Sequence, residues 1–300
     1  MLSIIIPFYN ENESLPQLYI ELTAELKKSG EYEIVFVDDG SSDGSFDVVN
    51  SIAKKDSHVE LVRNRSRLGK GNALTRGIAA SRGQTLIFMD ADLQDDPQDI
   101  AQFLKKLDAG FDLVNGVRVT RKDNLIIRTY SRLANWFLRA FVHSPFTDIN
   151  CGFKALRRVV LDEVVLYGNN FRFLPVAAHI SGFAVSEIAV HNRERTYGKS
   201  KFGIGKIFVG FFDTFTAYFL YKFAERPLHF FGIAGLLFFA VGFLIALYLT
   251  VERVFFQILL YRRPMLQFAI LMILVGIQIL MTGILGELIV YIHKKKNPRN

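Results

Sequence analysis

Four carboxylates follow a short apolar run, Thr85 to Met89, as Asp90, Asp92, Asp95 and Asp96. The run lies between Gly83 and Pro97 and is typical of a buried strand. Alternation along an extended backbone places Asp90 and Asp92 on one face, roughly 6.5–7 Å apart at Cα. Carboxylates that abut a buried strand are costly unless they are neutralised.

A hard divalent cation prefers carboxylate oxygens, so this stretch predicts a metal site formed by Asp90 and Asp92. The alternative is a solvated acidic turn. In either case we expect Asp95 or Asp96 to cap a helix that starts near Pro97.

The segments that position these acids alternate between strands and helices. The predicted strands are Leu2–Ile6, Glu33–Val37, Val59–Val62 and Thr85–Met89, and the predicted helices are Ser14–Ser29 and Gly71–Ser81. This order favours an α/β fold with a mostly parallel sheet. Ligands of such sheets bind beyond the carboxyl ends of the strands, where the polar loops after Ile6, Val37 and Met89 meet.

Two of the remaining loops also carry candidate ligand groups. Asp38 and Asp39 precede Gly40, and a carboxylate can accept hydrogen bonds from an imide N–H or a sugar hydroxyl, although a plain Asp-Gly turn is the alternative.

Lys70 stands between two glycines, but Gly71 occupies the place of the Ser or Thr of a P-loop. A diphosphate site and a simple helix N-terminus both remain open there.

The last third of the chain changes in composition. His229–Val251 contains no charged residue and Gln267–Ile292 contains only Glu287, so both runs are long and apolar enough to cross a bilayer. Because they are apolar on all faces, they do not fit the core helices of a soluble protein. The preceding segment, Gly203–Phe223, fits amphipathic helices that lie at the membrane interface.

Basic residues near the two runs predict the orientation. Those that flank the runs on one side are Lys222, Arg226, Lys294, Lys295, Lys296 and Arg299. The chain begins with a strand rather than a signal peptide, so we expect a multi-pass protein of the cell membrane with its catalytic part in the cytoplasm. Arg253, Arg262 and Arg263 between the runs weaken this assignment without reversing it.

The cysteine count and net charge are compatible with that location. The single Cys151 permits no internal disulfide, as in a reducing compartment. The net charge of +7 fits a membrane surface and phosphate-bearing ligands, and no nucleic-acid-binding pattern is present.

Three motifs together resemble those of the family-2 inverting glycosyltransferases: Ser3–Glu11, Val37–Gly44 and Asp90–Gln94. The resemblance implies a GT-A fold, a nucleotide-sugar donor and a Mg²⁺ or Mn²⁺ ion held by Asp90 and Asp92. It further implies that Gln94 helps to hold the metal and diphosphate, and that Pro7, Tyr9, Glu11 and Asp39 contact the nucleoside. From its place between glycines at a helix start, we also count Lys70 among the donor-binding residues.

Two later stretches, Asp148–Lys154 and Arg193–Phe202, resemble the polyprenyl-phosphate branch of that family, which includes dolichol-phosphate mannose synthases. Its R-x-x-G-x-S-K motif is matched by Arg195, Gly198, Ser200 and Lys201. The resemblance assigns this motif to the phosphates at the membrane surface. We predict a catalytic role for Arg195 and acceptor-phosphate contacts from Arg118, Arg132, Asp148, Lys154, Lys199, Ser200 and Lys201. Lys154 stands where many members carry Arg, so a point charge replaces a planar fork.

Phosphate chemistry supports such an acceptor independently. The second pKa of a phosphomonoester is about 6, so it is largely a dianion at neutral pH and can attack without a general base. Cations must then offset its repulsion from the donor diphosphate, while a metal stabilises the departing nucleotide. The cations that could do so are Arg118, Lys154, Arg195, Lys199 and Lys201. Arg128, Arg132 and Arg139 lie on an amphipathic helix predicted over Ile126–Phe141, and a solvated helix face explains at least one of them.

We therefore predict a catalytic GT-A domain over residues 1–202, an amphipathic juxtamembrane region over 203–228 and a two-helix membrane anchor over 229–300. The predicted reaction moves a sugar from a UDP- or GDP-sugar to a polyprenyl phosphate with inversion. One alternative is a processive polysaccharide synthase, whose Q-x-x-R-W motif is not matched around Trp136; another is a non-catalytic scaffold that binds nucleotide or lipid. The sequence leaves open the sugar, the nucleobase, the polyprenol length, the choice of metal and a homo-oligomer.

Overall fold

The computed structural model describes residues 1–118, 145–164, 170–193, 205–257 and 264–296. It contains two compact units, Met1–Ala217 and Tyr218–Asn300. The first carries a mixed sheet with helices, and the second carries two long apolar helices. The domain boundaries expected at 202 and 228 stay predictions.

The described strands are β1 (Leu2–Phe8), β2 (Tyr32–Asp38), β3 (Val59–Arg63), β4 (Thr85–Phe88), β5 (Leu113–Arg118), β6 (Lys154–Arg157) and β7 (Val185–Val190). The described helices are α1 (Leu15–Leu26), α2 (Ser45–Ala53), α3 (Lys70–Ala80), α4 (Ile100–Asp108), α5 (Val160–Glu163), α6 (Leu174–Ile180), α7 (Gly205–Phe223), α8 (Pro227–Phe255) and α9 (Pro264–Lys296). Short 3₁₀ turns cover Pro97–Asp99 and Asn170–Phe173.

The strands form one sheet in the order β3-β2-β1-β4-β6-β5-β7. Neighbouring strands are parallel except where β6 pairs with β4 and β5. The carboxyl ends of β1, β2, β4, β5 and β7 therefore lie at one edge, together with the start of β6. This arrangement confirms the predicted α/β fold and brings the polar loops to a single edge.

Pro7 lies inside β1, whereas the sequence predicted that it ends the strand. Ile5 accepts from the backbone N–H of Met89 on the β4 side, and residue 7 faces that same side. Because β4 ends at Phe88, opposite Ile5, the missing N–H of Pro7 removes no ladder hydrogen bond. The strand therefore continues to Phe8, still paired with β2.

Two local predictions about helices are confirmed. In α1 the buried residues Leu15, Leu18, Leu22 and Leu26 recur at the spacing of one helix face, which packs against the sheet. Asp96 caps the turn that leads into α4, since its side chain accepts from the Gln98 N–H at 3.0 Å.

The second unit contains the two predicted spanning helices. α8 and α9 have mean hydropathies of 2.6 and 2.5 in their most apolar stretches, and most of their residues there are exposed, at 11% and 17% buried. By length and composition both can cross a membrane. The interfacial location expected for Gly203–Phe223 stays a prediction.

Glycines line the contact between α8 and α9. A Cβ placed on Gly276 would lie 2.5 Å from the backbone nitrogen of Phe239 and 2.8 Å from the carbonyl oxygen of Gly235. On Gly232 it would meet no atom closer than 3.7 Å. Gly276 therefore lets the two backbones approach, and Gly232 does not limit their approach.

We expect Gly276→Ala to destabilise the helix pair by about 1–3 kcal/mol, because the added methyl must push two backbones apart. Gly232→Ala is the matched control and should leave the pair intact. Thermal unfolding of the purified full chain in detergent measures both. Equal unfolding temperatures for the two variants would show that the glycine contact does not determine the packing.

Candidate active site

The loops after β1 and β2 are bonded to each other and form one wall of the site. The backbone N–H of Asn10 donates to Ser41 Oγ at 3.0 Å, and the backbone N–H of Ser42 donates to Asn10 Oδ1 at 2.9 Å. The Glu11 N–H donates to Ser45 Oγ at 2.8 Å. The predicted donor-binding residues of the first loop are thus fixed against the second.

Two further predicted donor residues lie on the same wall. Pro7 is the second-last residue of β1, next to the loop. The guanidinium of Arg67 lies 4.2 Å from the ring centroid of Tyr9. An arginine over an aromatic face is a stable planar pair. The structure therefore brings Pro7, Tyr9 and Glu11 together at the carboxyl edge, and their contacts with a nucleoside stay predictions.

Asp39 holds the loop that leads into α3. It is 4% exposed, and its Oδ1 accepts from the Asn64 side chain and the Leu68 N–H, both at 2.8 Å. Its Oδ2 accepts from the Gly69 N–H at 2.9 Å. The predicted contact of Asp39 with the nucleoside stays a prediction, whereas its observed bonds fix the start of α3 and hence the backbone of Lys70.

Gly40 allows this turn to pack closely. Its φ is +77°, and a Cβ there would lie 2.8 Å from the backbone carbon of Ser66. A side chain at this position would therefore be strained and would also push away the loop that Asp39 holds.

The acidic loop after β4 bends at once instead of continuing as a strand. β4 ends at Phe88, and Leu93 adopts a left-handed conformation with φ +62°. The Asp92 carboxylate accepts from the Gln94 N–H at 3.2 Å and thereby closes the bend. Residues 91–93 form a bend rather than extended backbone, so the expected alternation along a strand does not describe Asp90 and Asp92. That the two carboxylates converge on one metal stays a prediction.

The Asp90 carboxylate contacts the Lys70 ammonium through Oδ1. Desolvation opposes its ionisation, but the charges of Lys70, Arg118 and Lys154 and the bond from Lys70 outweigh that effect. The pKa of Asp90 therefore lies below its ordinary value. Asp90 is a carboxylate at neutral pH.

Asp95 is bonded to the backbone of Asp90, and its pKa is shifted in the opposite direction. It is buried, and its carboxylate accepts from the backbone N–H of Asp90 at 3.2 Å. Burial and the negative charges of Asp90 and Asp92 raise its pKa to about 7. The loop thus concentrates more negative charge than its surroundings readily tolerate.

The segment before β6 covers the Asp90–Lys70 pair. A Cβ placed on Gly152 would lie 2.8 Å from Asp90 Oδ2 and 2.9 Å from Lys70 Nζ. Only a glycine leaves room for both charged groups at this point. Gly152 was not among the predicted site residues.

Lys154 is bonded to this segment through its buried ammonium. It is 1% exposed, and its ammonium donates to Asn115 Oδ1 at 2.7 Å, to the Ile149 carbonyl at 3.4 Å and to the Cys151 carbonyl. Burial lowers its pKa to about 8. The predicted contact with an acceptor phosphate would require the ammonium to leave these partners.

Arg118 and Asp148, two predicted acceptor residues, form an ion pair with an Nε to Oδ2 distance of 3.0 Å. Glu187 of β7 holds the same segment, accepting from the Thr147 N–H at 3.0 Å and from the Asn115 side chain at 3.1 Å. The segment from 145 to 153 is therefore tied to β5, β6 and β7. Sequence reasoning missed Asn115 and Glu187.

The residues after β7 are tied to the acidic loop. Arg193 donates from its N–H to the Gln94 carbonyl at 2.8 Å and pairs with Glu21 at 2.6 Å and Asp96 at 2.9 Å. His191 pairs with the buried Asp99 at 2.9 Å, which raises the pKa of His191. These contacts place Arg193, two residues before the R-x-x-G-x-S-K motif in the sequence, beside the acidic loop. The motif's residues Arg195, Lys199, Ser200 and Lys201, like Arg132, lie outside the described residues.

The acidic loop fits a divalent cation that shares its ligands with a substrate. Among the described residues no group of three or more His, Cys, Asp or Glu side chains is arranged around a common metal position. Mg²⁺ commonly binds through one or two carboxylates together with substrate phosphates, which is the donor set that Asp90 and Asp92 offer.

The fold is that of the GT-A glycosyltransferases, as the sequence predicted. The structure is similar to glucosyl-3-phosphoglycerate synthase from Mycobacterium tuberculosis in complex with Mn²⁺ and UDP-glucose. The TM-score is 0.57 at 18% identity, covering 73% of this chain and 78% of that one, so the likeness concerns the fold.

The chain belongs to glycosyl transferase family 2, whose model matches residues 3–165. It is 32% identical to an undecaprenyl-phosphate 4-deoxy-4-formamido-L-arabinose transferase from Enterobacter sp. (strain 638), over 99% of this chain and 91% of the relative. It is also 32% identical to a dodecaprenyl-phosphate galacturonate synthase from Rhizobium johnstonii, over 96% and 87% of the two chains.

We expect Asp39→Asn to lower the free energy of unfolding of the catalytic unit by about 1–3 kcal/mol, because an amide cannot accept all three of the observed hydrogen bonds. Asp47→Asn, on the exposed face of α2, is the matched control and should change it by less than about 0.5 kcal/mol. Denaturant unfolding followed by near-UV circular dichroism measures both. Equal effects would contradict the structural role of Asp39.

We expect Gly152→Ala to reduce glycosyl transfer by about tenfold or more, since a displacement of roughly 1 Å at a catalytic group has a large effect on rate. Its unfolding temperature should change little, because the atoms that must move are the ends of two flexible side chains.

Gly116→Ala provides the contrast. There the new methyl would lie 2.9 Å from the Phe153 carbonyl oxygen, so stability rather than rate should fall first. A Gly152→Ala protein with unchanged turnover would show that the Asp90–Lys70 geometry is not needed for catalysis.

Proposed function

We propose that this protein transfers a sugar from a nucleotide-sugar to a polyprenyl phosphate with inversion, producing a lipid-linked monosaccharide. The observation that carries the proposal is the membership of family 2 together with two polyprenyl-phosphate sugar transferases as relatives over nearly the whole chain. The two long apolar helices agree with a lipid substrate.

The wall formed by the first two loops would hold the donor's nucleoside, through Pro7, Tyr9, Glu11 and the Asp39 turn. Asp90 and Asp92, with Gln94 closing the bend, would hold a Mg²⁺ or Mn²⁺ ion and the diphosphate. When bound, such an ion would neutralise charge on the departing nucleoside diphosphate. Solved structures of the same fold with Mn²⁺ and either UDP-glucose or UDP support the use of a divalent cation.

The acceptor would approach from the side of β5 and β7. Arg118 is oriented by Asp148 there, and the segment that begins at Arg193 continues into Arg195, Lys199, Ser200 and Lys201. A phosphomonoester dianion needs cations rather than a base, and these residues would supply them. Attack on the anomeric carbon from the face opposite the leaving diphosphate would invert its configuration.

The orientation in the membrane is part of the proposal. Lys222 and Arg226 precede α8, and Lys294, Lys295 and Lys296 end α9. A hairpin of two spans puts both flanks on one side, and basic flanks favour the cytoplasm. The catalytic unit would then lie in the cytoplasm, where nucleotide-sugars are made.

The test is a transfer assay with the purified full chain in detergent. Labelled UDP- and GDP-sugars are offered with Mg²⁺ or Mn²⁺ and a polyprenyl phosphate, and lipid-linked sugar is extracted and its anomeric configuration determined. We expect one donor to give a product of inverted configuration. Retention would contradict the mechanism, and no product from any donor would favour a non-catalytic scaffold.

We expect Asp92→Asn to lower turnover by about 10²–10³-fold, the usual effect of removing one group that stabilises charge in the transition state. Membrane insertion, measured by resistance to alkaline extraction, should stay normal. Asp108→Asn, at the exposed end of α4, is the control and should retain full turnover. Near-normal turnover of Asp92→Asn would place the site on other residues.

A further inference from the structure

The contact between Lys70 and Asp90 joins a predicted diphosphate ligand to a predicted metal ligand. The ammonium lies on Asp90 Oδ1, and the two side chains are 30% and 39% exposed. An ammonium on that oxygen would repel a divalent cation that binds to it, because the two positive charges would lie only a few ångströms apart. The contact therefore competes with metal binding through Oδ1.

The backbone of Lys70 is held in place, whereas its ammonium can move. It is the first residue of α3, and Asp39 holds the two preceding N–H groups. A lysine carries its charge on a flexible four-carbon stem, so the ammonium can move while Cα stays in place. The Phe171 ring, 5.1 Å from Nζ, provides a second favourable surface for the charge.

The electrostatics of Lys70 favour an exchange of partners. A cation at the first residue of a helix opposes the helix dipole, and here Asp90 offsets that cost. Asp92 and Asp95 belong to the same short loop, and Asp95 Oδ2 accepts from the backbone N–H of Asp90, so further carboxylates are crowded beside Asp90. A divalent cation would neutralise this loop better than one ammonium, and a diphosphate near the start of α3 would attract the released ammonium.

We propose that the Lys70 ammonium is a resident counter-ion at the metal position on Asp90, and that a divalent cation and the donor diphosphate displace it together, after which it pairs with the diphosphate. The proposal rests on the function proposed above. Lys70 would thus couple metal binding to donor binding. Metal alone would have to compete with a tethered ammonium, whereas metal with nucleotide would give that ammonium a new partner.

The coupling is measured as Mn²⁺ affinity, without turnover. Free Mn²⁺ is followed by electron paramagnetic resonance during titration of the purified full chain in detergent, first alone and then with UDP or GDP. For Lys70→Met we expect about tenfold tighter binding of Mn²⁺ alone, equivalent to about 1.4 kcal/mol, because the competitor is removed. The gain in Mn²⁺ affinity produced by the nucleotide should shrink by a similar factor.

Three further variants make the result specific. Lys54→Met, an exposed lysine after α2, removes the same charge elsewhere and should leave Mn²⁺ binding unchanged. In an Asp90→Asn background, Lys70→Met should have no effect on Mn²⁺ binding, because the shared oxygen is no longer a carboxylate. Lys70→Gln replaces Lys70→Met where the latter lowers the unfolding temperature.

Equal or weaker Mn²⁺ binding by the Lys70 variants, or no saturable Mn²⁺ binding by any of the proteins, would overturn the proposal. The outcome is separable from that of the transfer assay. Tighter Mn²⁺ binding by Lys70→Met in a protein that transfers no sugar would support the counter-ion role and remove the proposed reaction. Normal sugar transfer by the protein, with Lys70 variants that bind Mn²⁺ no more tightly than it does, would support the proposed reaction and remove the counter-ion role.

Discussion

The negative charge at the end of β4 is the constraint on which the rest of the catalytic unit depends. Asp90, Asp92 and Asp95 share one short loop at the edge of a buried sheet, and Asp92 and Asp95 are themselves buried. At such a place a carboxylate either takes up a proton, because its pKa is raised, or pairs with a cation. Both responses are present, since the pKa of Asp95 is raised while Lys70 pairs with Asp90.

The cations that respond come from three different parts of the chain. Lys70 is delivered by α3, Arg118 by the end of β5 and Lys154 by the start of β6. All three lower the pKa of Asp90, although only Lys70 is bonded to it. The antiparallel β6 is necessary for this, because its reversed direction brings its first residue to the edge where the other strands end.

The local features of the fold were predictable from the sequence, and the partners of the charged groups were not. Strand and helix positions followed from apolar periodicity, and the cap at Asp96 followed from its place before Pro97. The extension of β1 past Pro7 depends on where β4 ends, which is decided some eighty residues later in the chain. Motif resemblance found the acidic loop, but not the bend at Leu93 that sets its geometry.

The partners depend on long-range contacts that leave no local pattern. Asp39 reads as a turn residue or a nucleoside ligand, yet its bonds go to a loop that begins at Asn64. Asn115 and Glu187 occur in ordinary strand sequences, and only the pairing of β5 with β7 brings them under the 145–153 segment. A polar residue inside an otherwise apolar strand, such as Asn115, was the one available signal, since buried polar groups need partners.

The charge balance also bears on how donor and acceptor meet. The described cations at this edge already have partners: Lys70 pairs with Asp90, Arg118 with Asp148, and Lys154 with carbonyl oxygens. The proposed acceptor phosphate alone brings roughly −1.5 to −2 charges at neutral pH, and the donor diphosphate brings more. In the proposed reaction these groups would exchange their present partners for phosphates, with further positive charge from a metal and from the basic residues that follow Arg193 in the sequence. Each cation would thus pass from a protein oxygen to a phosphate as the substrates bind.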